Sequence, residues 1–190
     1  MEKDRMKYLW IVALLFVSSL AVAQVPSSGN VYFGYTYYNT DLSLNRGSLN
    51  GWQGTLEGKV FPLLGIVADL TGHYGSLKFN ILCPPIPQPP PCGPVSSNAH
   101  VYEAMFGPRL SVPIGRLRPF AEFEVGVAHA TTGNAGLGTD TSFATALGGG
   151  VDLRLFRPVA WRVEGDYVRT DLFHTTQGNF RFSTGIVLRF

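Results

Sequence analysis

From residue 30 onward the chain alternates. Large apolar side chains recur at every second position, and charged, hydroxyl or glycine residues fill most of the positions between. A period of two belongs to an extended strand, because successive side chains leave opposite faces of the backbone. Val31, Phe33, Tyr35 and Tyr37 share one face, with Tyr32, Gly34, Thr36 and Tyr38 on the other. Trp52, Leu56 and Val60 alternate with Gln53, Thr55, Glu57 and Lys59; Ile66, Ala68, Leu70 and Tyr74 alternate with Val67, Asp69, Thr71 and His73. Tyr102, Phe106 and Leu110 oppose Glu103, Met105 and Arg109, and Ala121, Phe123, Val125 and Val127 oppose Phe120, Glu122 and Glu124. Three more segments follow. Phe143, Leu147 and Val151 face away from Gly148, Gly150, Asp152 and Arg154; Val159, Trp161, Val163 and Tyr167 from Arg162, Glu164 and Asp166; Phe180, Phe182, Ile186, Leu188 and Phe190 from Arg181, Val187 and Arg189.

Each segment reads as about 10 residues, the length with which a tilted strand crosses a bilayer core. A soluble sandwich uses strands of about 5–6. The predicted fold is therefore all-β: an eight-stranded antiparallel up-and-down transmembrane barrel. Closure removes the sheet edges, which lipid could not satisfy. The inward face then carries Glu57, Lys59, Asp69, Glu103, Arg109, Glu122, Glu124, Asp152, Arg154, Arg162, Glu164, Asp166, Arg181 and Arg189, expected to form a lumen charge network. No Lys or Arg lies mid-segment on the apolar face, where one would cost about 2–4 kcal/mol at the bilayer midplane. A soluble ligand-binding barrel would need the apolar face inward, and remains the outside fold alternative.

The connections read as alternating in length. Residues 39–50, 76–99, 130–141 and 170–178 read as long; Pro62-Leu63, Pro113 to Arg118 and Phe156 to Pro158 read as short. Short periplasmic turns and longer outer loops are the pattern of such barrels, which puts both termini in the periplasm. Eight strands leave room for side chains and little else, so no large open pore is expected.

The start of the chain is different. Lys3, Arg5 and Lys7 precede an apolar run from Tyr8 to Leu20, and Ala21-Val22-Ala23 forms a small-x-small cleavage site. That is the pattern of a cleaved secretory signal peptide, and the run is shorter than the ~20 residues of a membrane span. Residues 1–23 are read as signal peptide, 24–29 as a short lead and 30–190 as the barrel, placed in a bacterial outer membrane. Only 15% of residues are charged, against roughly a quarter in soluble domains. A net charge of +2 without a basic run gives no reason to expect nucleic acid.

Several stretches resemble a known family. Phe106-Gly107-Pro108-Arg109-Leu110, Arg118-Pro119-Phe120-Ala121, Leu147-Gly148-Gly149-Gly150-Val151-Asp152, Arg162-Val163-Glu164-Gly165-Asp166-Tyr167 and the closing Ser183 to Phe190 look like the small outer-membrane barrels of the opacity-protein and outer-membrane-protein-A-like type. The resemblance implies structural, adhesive or host-contact roles that vary with the loops. It also implies that Phe190 acts as the C-terminal signal read by the barrel-assembly machinery. Outer-membrane lipid, lipopolysaccharide and an external ligand or host surface are the remaining implied partners. No periplasmic peptidoglycan-binding domain is appended, so a cell-wall tether is not expected.

Cys83 and Cys92 bracket a proline-rich octapeptide. In an oxidising compartment they are expected to form a disulfide that staples an outer loop. Glu122, Glu124, Glu164 and Asp166 could serve as acid–base pairs, but partners for buried charge are the simpler reading. His129 and His174 are each followed by two threonines after one or no spacer. Both depart from the His-x-Ser pattern of lipid-modifying barrels. His73 and His100 flank the second outer loop, too few for a metal site. Gly148-Gly149-Gly150 lacks the Lys-Ser/Thr of a phosphate loop and is expected to make room for a large neighbour. No catalytic residue, metal or cofactor is expected. A surface-interaction or structural role leads, ahead of a small porin-like channel and a lipid-modifying enzyme.

Overall fold

The computed structural model describes residues 28–42, 45–81, 93–133 and 138–190. Residues 1–23, read above as a signal peptide, nearly all of the expected lead, and Cys83 and Cys92 lie outside them. Eight strands form: β1 Gly29–Leu42, β2 Asn45–Lys59, β3 Leu64–Ile81, β4 Gly93–Ser111, β5 Leu117–Thr132, β6 Thr139–Phe156, β7 Val159–Thr170 and β8 Gln177–Arg189. Each pairs antiparallel with its sequence neighbours, and β1 pairs β8 from Asn30↔Arg189 to Asn39↔Phe180, so the sheet closes.

The two faces are inverted relative to a soluble barrel. Phe33, Leu56, Phe106, Phe123, Leu147 and Trp161 stand exposed on the outer wall. Arg109, Arg162 and Arg181 are at most 1% exposed, inside. Such an apolar outside and polar inside is stable only where lipid replaces water around the wall. The structure is that of a membrane-spanning β-barrel.

The strands are longer than the alternation suggested, from 12 residues in β7 to 19 in β4. The expected long connections shrink accordingly. β1 and β2 stay paired as far as Leu42↔Asn45, so residues 39–50 are mostly ladder. β3 and β4 pair out to Ile81↔Gly93. The physical reason is that hydrophobic alternation reports only where one face meets lipid. Beyond Tyr74 the positions of its parity on β3 turn polar, as Ser76, Lys78 and Asn80, yet backbone donors and acceptors still need partners and keep the ladder going.

At the other end the turns are tight. Val60 and Phe61 donate to the Leu64 carbonyl, and Ile114 pairs with Leu117 around Gly115, whose positive φ of 62° suits glycine.

Candidate functional site: the closed lumen and its two ends

Register brings opposite charges face to face across neighbouring strands. Arg109 on β4 is opposite Glu122 on β5, Asp152 on β6 opposite Arg162 on β7, and Asp166 on β7 opposite Arg181 on β8. Directly opposed pairs are the unit of sheet stabilisation. Here each pair also seeds a wider cluster across the lumen.

Nearest the tight turns, Arg162 grips Asp152 with two bonds, Nε to Oδ1 at 2.7 Å and Nη2 to Oδ2 at 3.2 Å. Its guanidinium lies 4.6 Å from the Phe120 ring centre and 5.1 Å from that of Tyr32. These two aromatics, which interrupt the polar face of the sequence, are cation–π platforms. Asn30 donates to Glu57 at 2.6 Å, Lys59 pairs with Glu57 and donates to Ser111, and Arg189 reaches Asp152 at 3.1 Å.

The middle tier is organised by two arginines. Arg109 donates from Nε to Glu122 at 2.5 Å and from Nη2 to Glu164 at 3.4 Å. Arg181 sits 2.8 Å from Asp69, 2.9 Å from Asp166, 3.3 Å from Glu103 and 3.8 Å from Glu124. Gln53 bridges Asp69 and Glu164. Carboxylate oxygens of Glu122, Glu164 and Asp166 lie within 4.8 Å of one another, the spacing a cation would use. Each is already in contact with Arg109 or Arg181, so the group reads as structural.

An apolar cluster closes the loop end of the lumen. A single 3-10 turn at Leu172–His174 drops Leu172, 1% exposed, among Tyr38, Leu49, Val101 and Val168, with Phe173 packed against the group. Just below, the His73 ring stacks on Tyr38 at 4.3 Å. The lumen is thus filled by charge toward the tight turns and stoppered at the loop end by an apolar cluster, beside which Thr40, Thr170, Gln177 and Asn179 hydrogen-bond.

No family model matches the chain, and no curated protein matches it. Solved structures do. Neisserial surface protein A superposes with a TM-score of 0.64 at 12% identity, over 86% of this chain and 99% of its own. The attachment invasion locus protein Ail of Yersinia pestis, in complex with the heparin analogue sucrose octasulfate, gives 0.57 at 11% identity over 86% and 98%. A second structure of Ail gives 0.52 at 11% identity over 86% and 98%. The chain has the fold of the small outer-membrane β-barrels. Identities this low carry the fold and nothing about a ligand.

Within this barrel several sequence expectations need correcting. Arg154 does not join the lumen network. Pairing of β6 with β7 shifts register between Arg154 and Phe156, and the Arg154 side chain leaves the wall, exposed, to donate to the Gly115 carbonyl at 3.2 Å. Lys59 and Arg189 are at the rim rather than the centre, their side chains 9% and 24% exposed. His73, read as flanking an outer loop, instead points into the lumen toward Thr36, while His100 lies against Tyr74, whose ring is on the outer face. Asn30, Gln53, Ser111 and the apolar stopper were not singled out by sequence. Inward parity marked Gln53 and Ser111, but parity cannot say which inward groups meet across the lumen. Gly148 does make room: a Cβ there would run into the Asp166 carboxylate. His129 does not meet Thr131; it crosses to β6, its Nδ1 2.7 Å from Thr141 Oγ1.

Proposed function

We propose that the protein is an integral outer-membrane protein, exported by residues 1–23 and inserted through recognition of Phe190, whose rigid barrel presents its outer loops for contact with an external surface. The β3–β4 arm carries this reading. Tyr74 and Tyr102, exposed and edge-to-face at 5.8 Å, are the last large aromatics on that part of the outer wall among the side chains described. Above them the positions of the same parity on β3 are polar, Ser76, Lys78 and Asn80, with Ser76 donating to Asn98 at 3.0 Å. The ladder nevertheless continues to Ile81↔Gly93, about 23 Å farther along the strand at ~3.3 Å per residue. A paired ribbon of that length outside lipid is costly to order and serves to hold its tip away from the membrane. The Cys83–Cys92 segment would be that tip, and a disulfide there would stiffen it. Ail, one of the structural neighbours, is an attachment protein by name and was seen with a heparin analogue, which makes sulfated glycans a reasonable first ligand to try.

The test is adhesion of bacteria expressing the protein to host-cell monolayers, with and without residues 77–95 replaced by a two-residue turn. Adhesion lost in the shortened variant, with the barrel still folded, supports the proposal. Equal adhesion, or none above the empty host, removes the arm from any attachment role. A channel reading is disfavoured by the stoppered lumen. An enzyme reading is disfavoured at His129, because among the described residues no carboxylate holds the imidazole's other nitrogen.

A further inference from the structure

The tight-turn end of the barrel is one-sidedly basic. Positions 59–64, 111–118, 154–159 and 189–190 hold Lys59, Arg116, Arg118, Arg154, Arg157 and Arg189 and not one Asp or Glu. The acidic side chains that come next along β2 and β6, Glu57 and Asp152, lie inside the lumen and are taken up by Lys59, Asn30, Arg162 and Arg189. Among the described residues no carboxylate pairs with Arg154, Arg157 or Arg116.

Three of these arginines border one recess. Arg154, Arg157 and Arg189, with Phe156, Val159 and Phe190, enclose about 270 Å³ between the β6–β7 turn and the end of β8. A second recess of about 450 Å³, on the other side of Arg189 and Phe190, adds Lys59 and Arg118. Arg189 joins the two, and its Nε–H is buried with no acceptor. The walls are mixed in a telling way. Phe156 and Phe190 are about 60% exposed, at 64% and 58%, and continue the apolar belt through Leu155 and Leu188. Guanidinium groups therefore stand where the apolar belt gives way to water.

We propose that this basin binds the phosphodiester headgroup of an anionic phospholipid, with Arg154 and Arg157 on the phosphate and the acyl chains lying along Phe156 and Phe190. Guanidinium forks match phosphate oxygens two at a time. The adjoining hydrocarbon wall suits a lipid and has no use for a free anion. The proposal rests on the reading that the tight turns face the periplasm, so the lipid belongs to the inner leaflet of the outer membrane. It assigns a task to Arg154, which the lumen network leaves out.

Native mass spectrometry of the detergent-purified protein, titrated with dioleoylphosphatidylglycerol, dioleoylphosphatidylcholine or inorganic phosphate, tests it. R154Q/R157Q is the working variant, since neither side chain enters the lumen network; R169Q, an exposed arginine at the loop end, is the control. A heat-dependent gel shift checks folding of each protein. The expected result is preferential retention of phosphatidylglycerol, weakened about tenfold in R154Q/R157Q, on the scale of a fewfold per basic residue at an anionic surface, and unchanged in R169Q. Equal retention of the two lipids, or an unaffected double variant that still shows the gel shift, overturns the lipid site and leaves the barrel reading standing. Inorganic phosphate displacing the lipid at equal concentration would make this a free-anion site and also overturn it. A wild-type protein with no gel shift would bring down the barrel reading, and the site with it.

Discussion

Arg181 is the residue on which most of the lumen depends. It touches four carboxylates from three other strands and its own neighbour β7, so it ties β3, β4, β5 and β7 to β8. Removing one partner of a buried ion pair leaves uncompensated charge and costs about 3–5 kcal/mol. Arg181→Ala is therefore expected to lower the temperature at which the unboiled gel band is lost by on the order of 10 °C. Arg109→Ala should behave alike. Arg154→Ala should stay within about 0.5 kcal/mol of wild type, as exposed side chains do; a large drop there would restore Arg154 to the lumen network. Gly148 offers a test by addition. An alanine methyl would collide with the Asp166 carboxylate and push it from Arg181, an overpacking penalty of about 1–3 kcal/mol. An unchanged melting profile for Gly148→Ala would mean that the Asp166–Arg181 contact contributes little.

Elements differ in what they hold and how visible that is. The wall strands announce themselves by alternation because one face meets lipid. The turn at Leu172–His174 has no such signature, since Leu172 and Phe173 are simply two apolar residues in a polar loop. Its importance lies in where β7 and β8 leave it, directly over the lumen. Phe173 takes a left-handed backbone with φ of 54°, uncommon for a large residue and held by packing against the stopper. Leu172→Ala should cost roughly 2–5 kcal/mol, the range for emptying a packed leucine site, read again as the loss temperature of the folded band. If Leu172→Ala melts like wild type, the stopper is not a packed core. The β3–β4 arm is the opposite case: its removal should leave barrel stability nearly intact, because its ladder lies beyond the apolar belt.

For the molecule as a whole, the stopper above and the ion-pair tiers below block the same axis. In planar bilayers the folded protein is expected to give no steady current, and ohmic single-channel steps in the wild type would show that the lumen opens. Much of the architecture was legible in the sequence. The alternation from Val31 to Phe190 determined strand number, which face of each strand meets lipid, and that the charged residues lie inside, because a period of two combined with the cost of charge in lipid leaves one arrangement. Strand ends were not legible, because past the lipid belt the outward parity turns polar in ladder and loop alike, as at Ser76, Lys78 and Asn80. Nor could the sequence assign partners. Parity puts Arg109, Arg162 and Arg181 inside, but beside the partner on the neighbouring strand Arg109 and Arg181 gain others from strands remote in the chain, as Glu57 does for Arg109 and Asp69 for Arg181. Closure of the sheet and its register decided those pairings, expelled Arg154 at the β6 irregularity, and brought Arg154, Arg157 and Arg189 around one recess. Those are distances through space between residues remote in sequence, and only the folded barrel sets them.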